Sequence, residues 1–493
     1  MRARVSAAAA SRGRSVPRDA PPTGNRVVCD DRPVRDPAPA RPRPPSVERV
    51  LAPVRATLPE ADPAALAAVV RAVVEGERER LADGRPATPL EALADAALAR
   101  LAAFTDPAAD GGPVPPRVVN ATGVVLHTNL GRAPWPAAAV AAATAAAASY
   151  GYLELDEVTG RRGPRFRVAE EHLAALAGAE AGLVVTNAAS ALLLSVGLAG
   201  RRGAVVVSRG ELVEIGGGVR IPEVIARAGA RLVEVGTTNR TRAEDFAAPL
   251  AEGRARLVLR VHPSNFALTG FAESADLAEV AAIAHAHGAL VVDDLGSGAL
   301  LDTTAFGLAH EPTPSERLAA GSDVVVFSGD KLVGGPQAGL IAGRADLVAR
   351  LRRDPLARAM RPDKAILAGV AATLGLYRAG RAATDVPVWR AIARSADELR
   401  ARAAAIAAEA GPRVRVVALE SAVGGGSLPG QVLPSAGLAV RVASPDRAAA
   451  ALRRGPGRVL ARIEGDVLVC DLRTVEPEDD ALLARRLAGL AAH

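Results

Sequence analysis

The chain has 493 residues, room for two to four domains and a large buried core, and much of its 49% hydrophobic content is alanine with only 2% aromatics, a helix-rich α/β composition. Its net charge of +6 is confined to the first fifty residues, where eleven arginines face five acids, so the body sums to zero and charge gives no general polyanion-binding surface. Cys29 and Cys470 stand far apart outside any CxxC or Cys/His cluster, so neither a disulfide framework nor a zinc site is indicated; the N-terminus lacks the apolar core of a signal peptide and the longest small-apolar run, PAAAVAAATAAAAS (136–149), is too short to span a bilayer, so a cytoplasmic protein is expected.

Residues 1–44 are Arg/Pro/Ala-rich without apolar periodicity, which predicts a disordered tail. From PSVERVL (45–51) to LARLAAF (98–104) apolar residues recur at helical spacing, broken by LPEADP and DGRPATP; this predicts a module of about three helices over 45–110. TDPAADGGPVPP is the linker. Over 111–385 short β-rich runs alternate with helical stretches: GLVVTN (182–187), GAVVVS (203–208), RLVEV (231–235), RLVLRVH (256–262), GALVVDD (288–294) and DVVVFS (323–328). Continuous apolar runs are strands buried on both faces, and their alternation with helices predicts a mainly parallel sheet whose ligands sit beyond the carboxyl ends of the strands. Over 386–493 the runs RVRVVAL, GLAVRV and DVLVCDL predict a smaller α+β domain.

Lys331 and Lys364 are the only lysines in a chain that otherwise carries its positive charge on arginine. A solvated charge can be supplied by either residue, but only a lysine amine can be deprotonated and form a Schiff base. Lys331 stands just past a strand end in SGDKLVGGPQAG (328–339), so it is a candidate for covalent carbonyl chemistry, against the plainer reading of a chance surface lysine. GLVVTN runs into AASALLLSVGLA, where the small residues 188–191 open a helix whose free amides suit a phosphate. GALVVDDLGSGAL ends a buried strand in Asp293 and Asp294, which point to opposite faces, so one carboxylate can hold a pyridinium nitrogen protonated. RVHPSN puts His262 and Asn265 at another strand end, suited to stacking or hydrogen bonding, although a lone histidine is more often structural. Phosphate cradle, carboxylate and Schiff-base lysine in this order make the constellation of a pyridoxal 5′-phosphate (PLP) enzyme of the aspartate-aminotransferase-like fold, PLP fold type I. A P-loop ATPase is excluded, because no GxxxxGK[ST] is present and the glycines follow the lysine.

The sequence resembles the bacterial L-seryl-tRNA(Sec) selenium transferases, or selenocysteine synthases, from residue 45 onward. The matching stretches are PSVERVL, NATGVVLHTNLGRAP (120–134), SRGELVEIGGGVRIPEV (208–224), LVEVGTTNRT (232–241), VHPSNF, DLGSGAL, SGDKLVGGPQAG and RAMRPDK (358–364). The resemblance implies that Lys331 carries PLP, that Asp294 rather than Asp293 is the pyridinium partner, and that Ala189, Ser190, His262 and Ser328 contact the cofactor. It implies β-elimination of water from the seryl group, then addition of selenium from selenophosphate to the dehydroalanyl-tRNA. Arg132, Arg358 and Arg361 match positions that line the family's site, where guanidinium forks suit a phosphate-like donor; Lys364, in the same motif, has no expected role beyond charge. It further implies that the helical module recognises the tRNA, although that module has no basic stripe, and that the chain assembles as a decamer built from dimers.

Two other readings compete: a PLP-dependent lyase or aminotransferase-like enzyme acting on a small free amino acid, and a non-catalytic RNA-binding scaffold that keeps the fold. The helical module disfavours the first, and the intact Lys331 and Asp294 disfavour the second.

Overall fold

The computed structural model describes residues 43–163, 165–216, 218–253, 255–263, 273–455 and 457–491. Asn265, the expected tail up to residue 42 and Cys29 lie outside these residues. The chain divides into two compact units at Pro116/Arg117.

Within the first unit, α1 (Val47–Thr57), α2 (Pro63–Ala82) and α3 (Leu90–Ala102) bury the apolar positions their spacing sets on one side, among them Val50, Val54, Leu66, Val70, Val73 and Leu93. Asp62 starts α2 by accepting from the amides of Ala64 and Ala65, with Pro63 at the first helical position. Glu77 is buried on α2, and its carboxyl is held below the usual range, first by the Thr88 amide (2.8 Å) and then by the Thr88 hydroxyl. That contact pins the connection into α3.

The second unit carries a two-stranded antiparallel ribbon of Glu214–Ile215 and Val219–Arg220 and two sheets. Their strands are β1 (Val118–Ala121), β2 (Ala181–Val185), β3 (Ala204–Ser208), β4 (Arg231–Val235), β5 (Leu257–Val261), β6 (Leu290–Gly296), β7 (Val324–Ser328), β8 (Gly339–Gly343), β9 (Val414–Gly424), β10 (Ser427–Arg441), β11 (Arg458–Glu464) and β12 (Val467–Asp471). The large sheet runs β2-β8-β7-β6-β5-β3-β4 and is parallel except for β8, which is antiparallel to both its neighbours. β3, β5 and β7 are buried at every position, as their continuous valine and leucine runs require in a sheet covered on both faces. This is the α/β architecture of PLP fold type I.

The small sheet runs β1-β11-β12-β10-β9. Its β1 comes from the segment before the large sheet and pairs in parallel with β11, Val118 opposite Arg458. The sheets therefore do not divide at residue 385/386, the boundary that composition suggested. Val119 and Ala121 are apolar and bury into the core of the C-terminal segment beside Leu438 and Val459.

Four helices of the second unit shape its ligand-facing clefts: α4 (Ala137–Ala148), α5 (Ala188–Val196), α6 (Lys364–Arg378) and α7 (Pro387–Ala393). Arg473, fully buried, lies within hydrogen-bond reach of the Ala391, Ile392 and Arg394 carbonyls at the end of α7 and of Pro434 in β10. It satisfies helix-end carbonyls and ties α7 to the small sheet. Arg473→Met leaves those carbonyls buried and unpaired, and should cost about 3 kcal/mol or more of stability, read from urea unfolding. No helix of the described residues is long and apolar enough to cross a membrane.

Candidate functional site

The segment that carries Lys331 is the turn from β7 into β8. The turn is fixed by its own backbone: the Gly329 amide donates to the Ala338 carbonyl (2.8 Å), Gly335 to Gly329 (2.8 Å), Gly334 to Lys331 (2.9 Å) and Leu332 to Ser297 (3.1 Å). Tyr377 of α6, fully buried, reaches the Leu332 and Val333 carbonyls through Oη (3.0 and 2.8 Å) and accepts from Trp389 Nε1 (2.6 Å). At Gly334 φ is +71°, and a Cβ would stand 2.3 Å from Val386 Cγ1, so a glycine is required there twice over.

Burial depresses the pKa of the Lys331 amine, and the nearby Asp294 carboxylate opposes that shift while Arg132 adds to it. Asp294 sits on β6, beside β7 in the sheet. Burial pushes its carboxyl up to about 6 against the pull of Lys331 and of the Gly296 amide, which donates to Oδ1 at 3.0 Å. Asp293 instead pairs with Arg317 and Ser322. The two adjacent acids thus have separate partners, and Asp294 is the one coupled to the lysine.

His262 directly follows β5, and its amide donates to the Asp294 carbonyl (2.8 Å). Burial lowers the pKa of its imidazole, opposed by the Glu311 carboxylate, whose Oε2 lies 3.7 Å from Nε2. Glu311 is itself buried and accepts from Ser297 Oγ. Nothing in the sequence singled out Glu311, because it stands in an irregular stretch, AHEPTP, and only the fold brings it to His262.

Helix α5 opens beyond β2. Asn187 caps it, accepting from the Ser190 amide (2.8 Å), and Ser190 Oγ lies 3.2 Å from Thr186 Oγ1. The Ser190 amide is therefore committed, and the amides of Ala188 and Ala189 remain at the open end of the helix. A Cβ at Gly339 would stand 2.1 Å from the Asn187 carbonyl, so only glycine lets β8 run this close under the helix start. Ser328 points its hydroxyl at Asp330.

Arg132, in the left-handed region at φ +64°, holds both oxygens of the buried Asp330 at 3.1 Å. It lines a cleft of about 800 Å³ with Trp135, Thr186, Gln337 and Arg361. Arg361 pairs with Glu154 (2.8 Å), which Arg162 and Arg165 also hold; the carboxyl sits below its usual range, first through Arg165. Arg358 lines a neighbouring cavity that shares Arg361 and Pro362, so two of the three expected arginines meet in one cleft and the third stands next to it. Lys364 Nζ donates to the Ser149 carbonyl, a contact that ties α6 to the end of α4.

These groups fit PLP. A buried amine with a depressed pKa suits its aldehyde, a buried carboxyl suits its ring nitrogen, and the open α5 amides over Gly339 suit its phosphate.

The model of a known family, described as L-seryl-tRNA selenium transferase, matches residues 118–476. A curated L-seryl-tRNA(Sec) selenium transferase of Hyphomonas neptunium is 47% identical over 364 residues, 72% of this chain and 78% of that protein. One of Carboxydothermus hydrogenoformans is 42% identical over 435 residues, 85% of this chain and 91% of that protein. Among solved structures, a D-glucosaminate-6-phosphate ammonia-lyase superposes with a TM-score of 0.56 at 22% identity, covering 76% of this chain and 96% of that one, a likeness of fold alone.

Proposed function

The chain belongs to the L-seryl-tRNA selenium transferase family, and on that premise we propose that it converts L-seryl-tRNA(Sec) to L-selenocysteinyl-tRNA(Sec), with PLP as cofactor and selenophosphate as selenium donor. The observation that carries this reading is the placement of Lys331, partly buried just past β7, and Asp294, buried on the adjacent β6, close enough for each to act on the other's charge.

PLP, when bound, supplies an electron sink for the carbon next to the seryl carbonyl. Lys331 Nζ, its pKa depressed by burial, would take the proton from the seryl Cα and pass it to the β-hydroxyl, which leaves as water. Asp294 keeps a proton at the cofactor's ring nitrogen, which a buried carboxylate does by pairing with the positive charge it stabilises. The imidazole of His262 lies against the same site and orients the ring, with Glu311 behind it. The amides of Ala188 and Ala189 bind the cofactor phosphate, and Ser190 and Ser328 support that end.

Arg132 and Arg361 face one cleft, where two guanidinium forks suit a tetrahedral oxyanion, and Arg358 guards its neighbour. The helices of residues 45–110 recognise the tRNA by shape and a few arginines; residues 111–385 hold the cofactor, and 386–493 complete the catalytic unit. The homo-oligomer is a decamer built from dimers, working in the cytoplasm. Tyr150, Tyr152 and Val158, more than half exposed after the alanine-rich α4, are surface of the kind a second copy covers.

The test is direct: PLP-loaded protein given seryl-tRNA(Sec) and selenophosphate should yield selenocysteinyl-tRNA(Sec). Failure to form that product would refute the reading.

A further inference from the structure

A second cavity, of about 370 Å³, lies on the other side of Arg132 and Trp135 from the arginine-lined cleft, since both residues line both spaces. Its volume falls within the ~300–1,000 Å³ of small-ligand sites. Val119, Val125 and Val388 give it apolar walls, and Trp135 contributes an indole. Trp135 lies against α6 at Gly369, where a Cβ would stand 3.4 Å from Trp135 Cζ3, an ordinary packing distance. The charged groups of the rim are already paired, Arg117 with Asp479 and Arg390 with Glu476. His127 also lines the cavity, and its Nδ1 is buried without a hydrogen-bond partner.

A chamber with valine walls and an indole, its rim charges paired, and with Asn120 and Thr474 beside one unsatisfied imidazole nitrogen, suits a flat, uncharged heteroaromatic ring with polar edges. Proteins read single-stranded RNA ends in this way, stacking the base on an aromatic side chain and hydrogen-bonding its edge. The position of the cavity points the same way. Every aminoacyl-tRNA carries its amino acid as an ester on the ribose of a 3′-terminal adenosine, so that nucleoside must lodge a few bonds from a seryl group held at Lys331. Arg132, close enough to act on the charge of Lys331, forms part of this cavity's wall.

We propose that the cavity binds the 3′-terminal adenosine of the seryl-tRNA, its base against Trp135 and its edge hydrogen-bonded by the His127 ring. The proposal rests on the transferase reading and locates the acceptor end of the same substrate.

Binding of deacylated tRNA(Sec) to the PLP-loaded protein tests it, using tRNA with and without the terminal adenosine and the variants His127→Ala and Trp135→Leu. Unchanged absorbance at about 420 nm reports an intact cofactor site in each variant. Removing the adenosine should weaken wild-type binding about tenfold or more, the loss expected for one stacked base. Each variant should weaken binding of the complete tRNA by a similar factor and leave binding of the shortened tRNA unchanged, because the partners of one contact do not add. Additive losses, or no loss on removing the adenosine, would overturn the proposal while the functional reading stands. If the wild type binds neither tRNA, both fall.

Discussion

Lys331→Ala should give a folded protein whose selenocysteinyl-tRNA formation is lower by at least about 10⁴-fold, the scale of losing a group that acts covalently and as base. No hydrogen bond that shapes the turn involves the lysine side chain. The turn is held by the amides of Gly329, Leu332, Gly334 and Gly335 and by Tyr377. Truncation removes a buried amine whose ionised form is disfavoured where it stands, so thermal unfolding should occur at or above the wild-type temperature. Lys331→Arg should be equally inactive, because a guanidinium stays protonated and cannot act as nucleophile or base. Turnover assays beside circular dichroism check both, and an active Lys331→Ala would remove the lysine from the chemistry.

Asp294→Asn should lower turnover by about 10²–10³-fold, the usual loss when one preorganised electrostatic partner is removed from a dry site. Its effect on the cofactor-free protein has the opposite sign. The Asp294 carboxyl is raised from 3.8 to about 6 in the folded state, so its favourable contribution is full below pH 3.8 and is lost as pH rises through about 6. Asparagine cannot ionise. The variant without PLP should therefore match wild type near pH 4 and exceed it at pH 8 by about 3 kcal/mol, the equivalent of that displacement. Urea unfolding at the two pH values measures it. A variant less stable than wild type at pH 8 would show that the carboxylate is not desolvated as described.

Most of the large sheet was legible because strands buried on both faces must be written as apolar runs, as β2, β3, β5, β6 and β7 largely are, while the edge strand β4 was legible from RLVEV although only its Val235 is buried. β8 was not. Its GLIAG has small residues, follows a glycine-rich turn and owes its place to pairing between β2 and β7. β1 was equally hidden, since VVNA is four residues long and its partner strand β11 lies in the C-terminal segment. At the site, alternation along a strand told that only one of Asp293 and Asp294 could face Lys331. Arg317, which holds Asp293, comes from a helix with no sequence mark of that role. Glu311 behind His262 and Glu154 among its arginines are likewise contacts between distant segments, which local pattern does not encode. Ser190 shows a finer limit: small residues at a strand-to-helix turn indicate open amides, but not that the cap Asn187 takes one of them.

Every catalytic role assigned to this site requires that PLP attach at the amine of Lys331. Borohydride reduction of the PLP-loaded protein, followed by proteolysis and mass mapping, should place one pyridoxyl group on the peptide that contains SGDKLVGGPQAG, at Lys331. A reduced adduct on Lys364 or elsewhere, or none at all, would contradict it.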